Sequence, residues 1–288
     1  MARIADLSVA QAAYQLAHEK RVWLPTMNKS EVVGIPITTV SAIGDIGPYH
    51  MDINGHTPSG RIRGPFDTSP IKPNSAPTYP VLWSHNAKSQ RTMSFDADSE
   101  GLPRRGSTPE EQKIVDLKVA SVWDAASHCH FNRDFRFNSQ STGMQITPRR
   151  TIGGRAWLSI RLSSVEQEKA LVLWANTSLG MLLHWWHANK QQSGRGSVGK
   201  TTLQSLPVLD VTALTPKQLA EAVKLFDGMS EQELLPLHEI DTDPVRKELD
   251  EKFARNVLGL SDSILAPGGP LEVLRMKLSR EPSIRGYK

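Results

Sequence analysis

The chain has 288 residues, 39% hydrophobic and 22% charged, which suits one large globular domain or two ordinary ones and excludes an intrinsically disordered chain. Its single cysteine, Cys129, excludes an internal disulfide, and with no secretory signal the expectation is a soluble cytoplasmic protein. The net charge of +4 is unevenly spread: residues 1–129 set thirteen Lys and Arg against thirteen Asp and Glu, residues 130–200 ten against three, and residues 201–288 eleven against fourteen. The middle segment therefore stands at +7 between neighbours at 0 and −3, a footprint that fits a polyanion such as DNA or RNA, or else a solvated face of scattered arginines.

Residues 5–21 are alanine-rich, with Ala10, Ala13, Tyr14 and Ala17 on one stripe, and predict a lead-in helix. From Val32 to about Ser141 short extended runs (VVGIPITTVSAI, TYPVLW, RTMSF) alternate with the turn-rich stretch DINGHTPSGRIRGPFDTSPIKPNSAP, so strands joined by long loops are expected, with one helix over residues 109–126. Strand-like segments return between Arg133 and Arg161 (FRFN, GMQITP, AWLSIRL), and Gly153-Gly154 marks a turn or a close backbone approach. Residues 164–192 then read as one long helix, opened by a capping box of Ser163 and Glu166 and apolar from Ala170 to Trp186 except at Asn176, Thr177, Ser178 and His184. At seventeen residues that window is short for a membrane span and fits a buried core helix. Beyond Asp210 the chain is helical and acidic: Thr215-Pro216 and Asp243-Pro244 start helices that stop at Gly228 and Gly259, and an amphipathic helix follows Pro270.

Residues Gly194 to Thr201, GRGSVGKT, match the phosphate-binding template G-x-x-x-x-G-K-[ST] letter for letter. Such a loop needs a buried strand running into its first glycine and a helix leaving its lysine, so that backbone N–H groups and the helix N-terminus cradle the phosphates. Here the preceding segment reads as helix, and TTLQSLPVLD after Lys200 reads as extended, with Pro207 barring a helix interior. A nucleotide-binding enzyme is therefore the weakest of three functional readings.

Other catalytic patterns are equally thin. His128-Cys129-His130 places two imidazoles on one strand face with no further ligand nearby, and His184 and His187 flank Trp185-Trp186 at a spacing of three rather than the four of H-E-x-x-H. No G-x-S-x-G elbow and no paired carboxylates in a strand-end context are present, so neither catalytic residues nor a metal are assigned.

The arginines carry more information. Asn132-Arg133-Asp134-Phe135-Arg136-Phe137-Asn138 alternates at period two, so on a strand Arg133 and Phe135 share one face while Asp134, Arg136 and Asn138 share the other. Arginine reads guanine, and asparagine or glutamine reads adenine, through paired hydrogen bonds. Arg149, Arg150, Arg155, Lys190, Gln191, Arg195 and Lys200 add donors, and the glycine-rich run at 194–199 could lay N–H groups along phosphates.

TYPVLWSHNAKSQRTMSF (78–95), HFNRDFRFNSQST (130–142), TIGGRAWLSIRL (151–162), residues 170–210 and DPVRKELDEKFARNVLGL (243–260) together resemble the C-terminal target-recognition region of large bacterial N6-adenine DNA methyltransferases of restriction-modification or phage-defence systems. The plan of long helix, glycine-bearing turn and extended LPVLD also resembles the end of a target-recognition domain in type I specificity subunits. Those enzymes carry a glycine-rich S-adenosylmethionine loop and an (N/D)-P-P-(Y/F) tetrapeptide. This chain has neither, so it resembles the specificity part without the catalytic part, and the cofactor would sit on a methyltransferase partner subunit or domain.

The resulting expectation is an α+β fold: a lead-in over 1–29, a DNA-binding domain over 30–212 built on a twisted mixed sheet with long loops and one long buried helix, and a helical segment over 213–288. Its partners would be double-stranded DNA and a methylase, with contacts at Arg133, Arg136, Asn138, Arg149, Arg150, Arg155, Lys190, Gln191, Arg195 and Lys200. The competing reading is a scaffold subunit of a defence complex whose basic strip meets an acidic partner.

Overall fold

The computed structural model describes residues 5–56, 63–72 and 75–286. Its framework is a seven-stranded mixed sheet. The strands are β1 (Asp45–Ile46), β2 (Phe66–Pro70), β3 (Pro80–Leu82), β4 (Ser99–Pro103), β5 (Ser127–Asn132), β6 (Met144–Gly153) and β7 (Trp157–Arg161), in the order β1-β7-β5-β6-β3-β4-β2. Every ladder is antiparallel except β3 against β6, where Val81 faces Ile152 and Leu82 faces Gly153. The expected mixed sheet with a helical C-terminal part is thus present.

The longer helices are α1 (Leu7–Glu19), α2 (Pro109–Asp124), α3 (Val165–Asn176), α4 (Ser178–His187), α5 (Pro216–Met229), α6 (Pro244–Asn256) and α7 (Pro270–Ser279). Their starts follow cap chemistry: the side chains of Thr108, Ser164, Thr215 and Asp243 accept first-turn N–H groups, and Pro follows three of them. No described helix is long and apolar enough to cross a membrane.

The expected single helix over 164–192 is two helices. Thr177 divides them: its hydroxyl donates to the Trp174 carbonyl at the end of α3 and accepts the Gly180 N–H at the start of α4. Gly180 is required there, since a Cβ would lie 2.2 Å from the Trp174 carbonyl oxygen. Asn176, the polar break in the apolar run, is fully buried; its amide donates to the carbonyls of Met144 and Val172 and accepts from the Gly143 N–H, tying α3 to β6.

One large core runs from Val9 in α1 to Ile284 and takes in α3, α4 and the C-terminal helices; a smaller one, with Ile53, Phe66, Val81, Val119 and Ile152, lies between α2 and the β2-β3-β4 end of the sheet. Helices α6 and α7 are fixed by buried charge: Arg246 faces Asp243 at 3.4 Å, and Arg275 reaches Asp250 at 2.8 Å.

Several expectations need correction. The segment FRFN is not a strand but a succession of turns between β5 and β6, in which Phe135 and Phe137 are both fully buried and pack edge-to-face at 5.2 Å. RTMSF contributes only a bridge, Ser94 to Ile146, and VVGIPITTVSAI ends in a short helix, Val40–Ile43. A helix does follow the glycine-rich run, Lys200–Gln204, because five residues fit before Pro207. LPVLD is extended as expected, with Pro207–Leu209 pairing Ile37–Thr39. Within the turn-rich stretch at 52–77, residues 57–62 and 73–74 lie outside those described.

Candidate nucleic-acid interface

The turns after β5, residues 133–140, sit against a hairpin formed by Asn189–Lys190 and Gly196–Ser197. Phe137 N–H donates to the Gly194 carbonyl, Gly196 N–H to that of Phe135, and Val198 N–H to that of Arg133, while Arg136 and Arg195 face each other as an antiparallel bridge. Residues directly opposite across such a bridge project to one side, so both guanidiniums belong to the same surface.

Sequence reasoning assigned the glycines of this hairpin to phosphates, and the structure gives them another task. A Cβ on Gly196 would lie 2.5 Å from the Phe137 ring, and one on Gly194, whose φ is +71°, would lie 2.7 Å from the Ile284 carbonyl oxygen. Those glycines let the hairpin close on the buried aromatics, and the N–H groups of Gly196 and Val198 are spent internally. The strand before the run is two residues long and the helix after it five, so the segment lacks the βα context of a phosphate loop.

Beside the hairpin lies a cleft of about 390 Å³ walled by Trp83, Ser84 and His85 beyond β3, Arg155 and Ala156 between β6 and β7, and Asp134, Arg136, Gln140 and Arg195 from the turns and hairpin. An adjoining depression is lined by Arg136, Gln191, Ser193 and Arg195. The Arg133 guanidinium lies 4.7 Å over the Tyr49 ring and donates to His50 Nδ1 at 3.3 Å. Burial, and then the charges of Arg133 and Arg155, hold the His50 imidazole below its usual pKa, so it is the neutral acceptor that Arg133 needs.

Arg136, Arg155 and Arg195 therefore line one cleft and Gln191 the depression beside it, while Arg133 lines neither. The remaining candidates lie elsewhere or are engaged. Arg149 pairs with Asp96 at 3.6 Å. Arg150 donates to the carbonyls of Ala126 (3.0 Å) and Trp123 (2.8 Å) and lies over the Trp123 ring, so it closes the C-terminal end of α2. Lys190 donates to the Trp186 carbonyl and sits 4.8 Å over the Trp185 ring. Asn138 donates to the Arg285 carbonyl at 3.4 Å, and Lys200 opens its short helix without lining the cleft.

Residues that sequence reading missed complete the walls. Gln140 Oε1 accepts from Arg136 N–H at 2.8 Å and Asn132 Nδ2 at 3.2 Å, which orients its amide to donate to His85 Nδ1 at 3.0 Å. Burial pushes His85 down to about 4, and its ring lies tilted against Trp157 at 5.4 Å. The available signal was positional: Ser84-His85 directly follows a predicted strand and Gln140 closes the arginine-bearing segment.

Of the histidines weighed as metal ligands, His128 and His187 meet the Thr147 and Thr202 carbonyls at 2.9 Å, and His130 and His184 are buried. His184 is enclosed by Phe131, Phe135 and Phe137 and pushed down to about 3 by burial, as is His130, whose Nε2 lies 3.2 Å from the Thr147 hydroxyl. Among the described residues no three His, Cys, Asp or Glu are grouped to hold a metal.

No protein-family model and no curated protein matches the sequence. Among solved structures the chain is similar to the type IIG restriction endonuclease BpuSI, with a TM-score of 0.50 and 11% identity over 94% of this chain and 33% of that one. The chain thus spans about a third of the length of that enzyme, and what the two share is a fold found in a restriction endonuclease.

Proposed function

We propose that the chain is the DNA-recognition part of a restriction-modification system of the N6-adenine type, with methyl transfer and its S-adenosylmethionine carried by a catalytic domain or partner subunit. The observation that carries this reading is the convergence of Arg136, Arg155 and Arg195, from separate parts of the +7 segment, on one polar cleft, with Gln191 in the adjoining depression. Guanidinium groups held on turns and a hairpin supply both phosphate and base contacts. The fold shared with a restriction endonuclease agrees with such a role, and adenine specificity rests on the motif resemblance alone.

Titration with duplex DNA across a salt series tests the reading. Binding whose log K falls linearly with log salt, by about 0.9 for each phosphate contact, is expected. Absence of any salt-dependent association rejects it. Stoichiometric co-purification with a methylase supports the partner assignment separately.

A further inference from the structure

Among the described residues, the walls of the cleft hold several donors without partners beside acceptors that are already partly engaged. Asp134, the one carboxylate among the described residues of the lining, meets Arg195 Nη2 at 3.1 Å and Ser197 Oγ at 3.5 Å, both through Oδ1. The Ser84 carbonyl accepts Trp157 Nε1 at 2.9 Å. Gln140 Oε1 already holds two donors, and because its amide then donates to His85 Nδ1, the neutral imidazole carries its proton on Nε2. That Nε2–H and the Nε–H of Arg195 are buried with no partner, two uncompensated donors in the walls of one cavity. The guanidiniums of Arg136 and Arg155 make no hydrogen bond or ion pair with the described residues, in contrast to Arg149, Arg150 and Arg161.

A lining with the two unpartnered guanidiniums of Arg136 and Arg155 favours a ligand edge made of acceptors. In the major groove, adenine offers one acceptor beside a donor, cytosine a donor, and thymine one acceptor beside a methyl group. Only guanine presents two adjacent acceptors, N7 and O6, and the planar fork of an arginine matches them. Arg136 and Arg195 stand opposite each other on one bridge, and Asp134 braces the second of them, so two forks share one surface.

We infer that this cleft reads a guanine of the duplex through its N7 and O6, with Arg136 and Arg195 as the specificity-determining residues. The Asn132–Gln140–His85 chain acts as a positioning network, since Gln140 fixes the backbone of Arg136. The assignment rests on the DNA-recognition reading but fails separately from it. A backbone phosphate shows the same acceptor chemistry, and the experiment distinguishes the two sources.

The full chain is used to select duplexes from a randomised pool, and selected sites are then bound by the wild type and by Arg136→Ala. An invariant guanine is expected, and 7-deazaguanine at that position alone lowers affinity roughly tenfold, the size of a bidentate contact. Arg136→Ala relaxes the preference at that position and leaves the others intact, and Arg136→Lys does not restore it. Arg136 is exposed, so an unchanged melting temperature is expected to accompany the loss. Selected sites without an invariant guanine, tolerance of 7-deazaguanine, or an equal loss on every duplex with a shallower salt slope overturns the guanine assignment and leaves a phosphate contact. Failure of every duplex to bind overturns the DNA reading as well.

Discussion

The guanidinium of Arg246 donates to the main-chain carbonyl of Ser141 at 2.8 Å, joining the helical C-terminal part to the end of the turn segment that carries Arg136 and Gln140. The same group donates to the carbonyls of Asn176 and Leu235 and faces Asp243, all away from solvent. Burial lowers its pKa from the ordinary arginine value, and the neighbouring carboxylates of Asp243 and Asp250 oppose that, so the charge is retained.

Replacing Arg246 with Met strips three carbonyls of their donor and the buried Asp243 carboxylate of its counter-charge. A loss on the order of 3–5 kcal/mol follows from breaking a buried pair by removing one partner. Urea unfolding measures it, and a variant with an unchanged midpoint would show that the guanidinium is not needed to hold the turn segment.

Gly196 and Gly199 separate the packing account of the glycine-rich run from a phosphate-loop account. A Cβ at Gly196 meets the Phe137 ring at 2.5 Å, whereas one at Gly199 meets nothing within 4 Å. Gly196→Ala is expected to cost about 1–3 kcal/mol in thermal stability, as overpacking does, and Gly199→Ala to be tolerated. ATP binding that depends on Lys200 and is abolished by Gly199→Ala would reverse that order and restore the nucleotide reading.

Acid stability depends on His130 and His184. Both are held neutral at about 3 by burial, while an unfolded chain titrates them near 6.5. Below pH 6.5 the unfolded state therefore binds more protons than the folded one. Stability is complete above that pH and declines from there towards pH 3, by on the order of 2 kcal/mol for each imidazole at pH 5. Melting curves at pH 7.5, 6 and 5 follow the decline. His184→Leu is expected to flatten this limb, and an equally steep decline in the variant would assign it to other groups.

Arg155 and Arg150 should separate binding from stability. Arg155→Ala is expected to lower the salt slope of DNA binding by about one phosphate contact for all sequences alike, with no change in melting temperature. Arg150→Ala uncaps the α2 carbonyls that it now holds and is expected to cost about 1–2 kcal/mol of stability, with the salt slope unchanged. The reverse pattern would place the DNA surface on the α2 side.

Helix starts were legible because cap chemistry is local: Thr108-Pro109, Thr215-Pro216 and Asp243-Pro244 each open the helix expected of them. The alternation in FRFN misled because Phe135 and Phe137 are buried by separate turns around His184, which imitates the period of a strand. The break at Thr177 was concealed by apolar residues that are buried in both α3 and α4. At the cleft, the guanidiniums could be found from composition, but what orients them could not. Gln140 meets His85 across 55 positions and Ser197 meets Asp134 across 63, contacts that exist only once the chain is folded.

Within the sheet, the parallel ladder of β3 on β6 is the joint between the half resting on the large core and the half resting on the small one. The cleft straddles that joint, since Trp83, Ser84 and His85 leave β3 whereas Arg136, Gln140 and Arg195 belong to the large-core half. Parallel pairing between distant segments forms slowly. On the proposed DNA reading, a molecule with only its larger half in place would hold most of its positive surface without the opposing wall and would bind nucleic acid by charge alone. On that reading discrimination needs both halves together, so loosening the small half would forfeit it while charge-driven binding persisted.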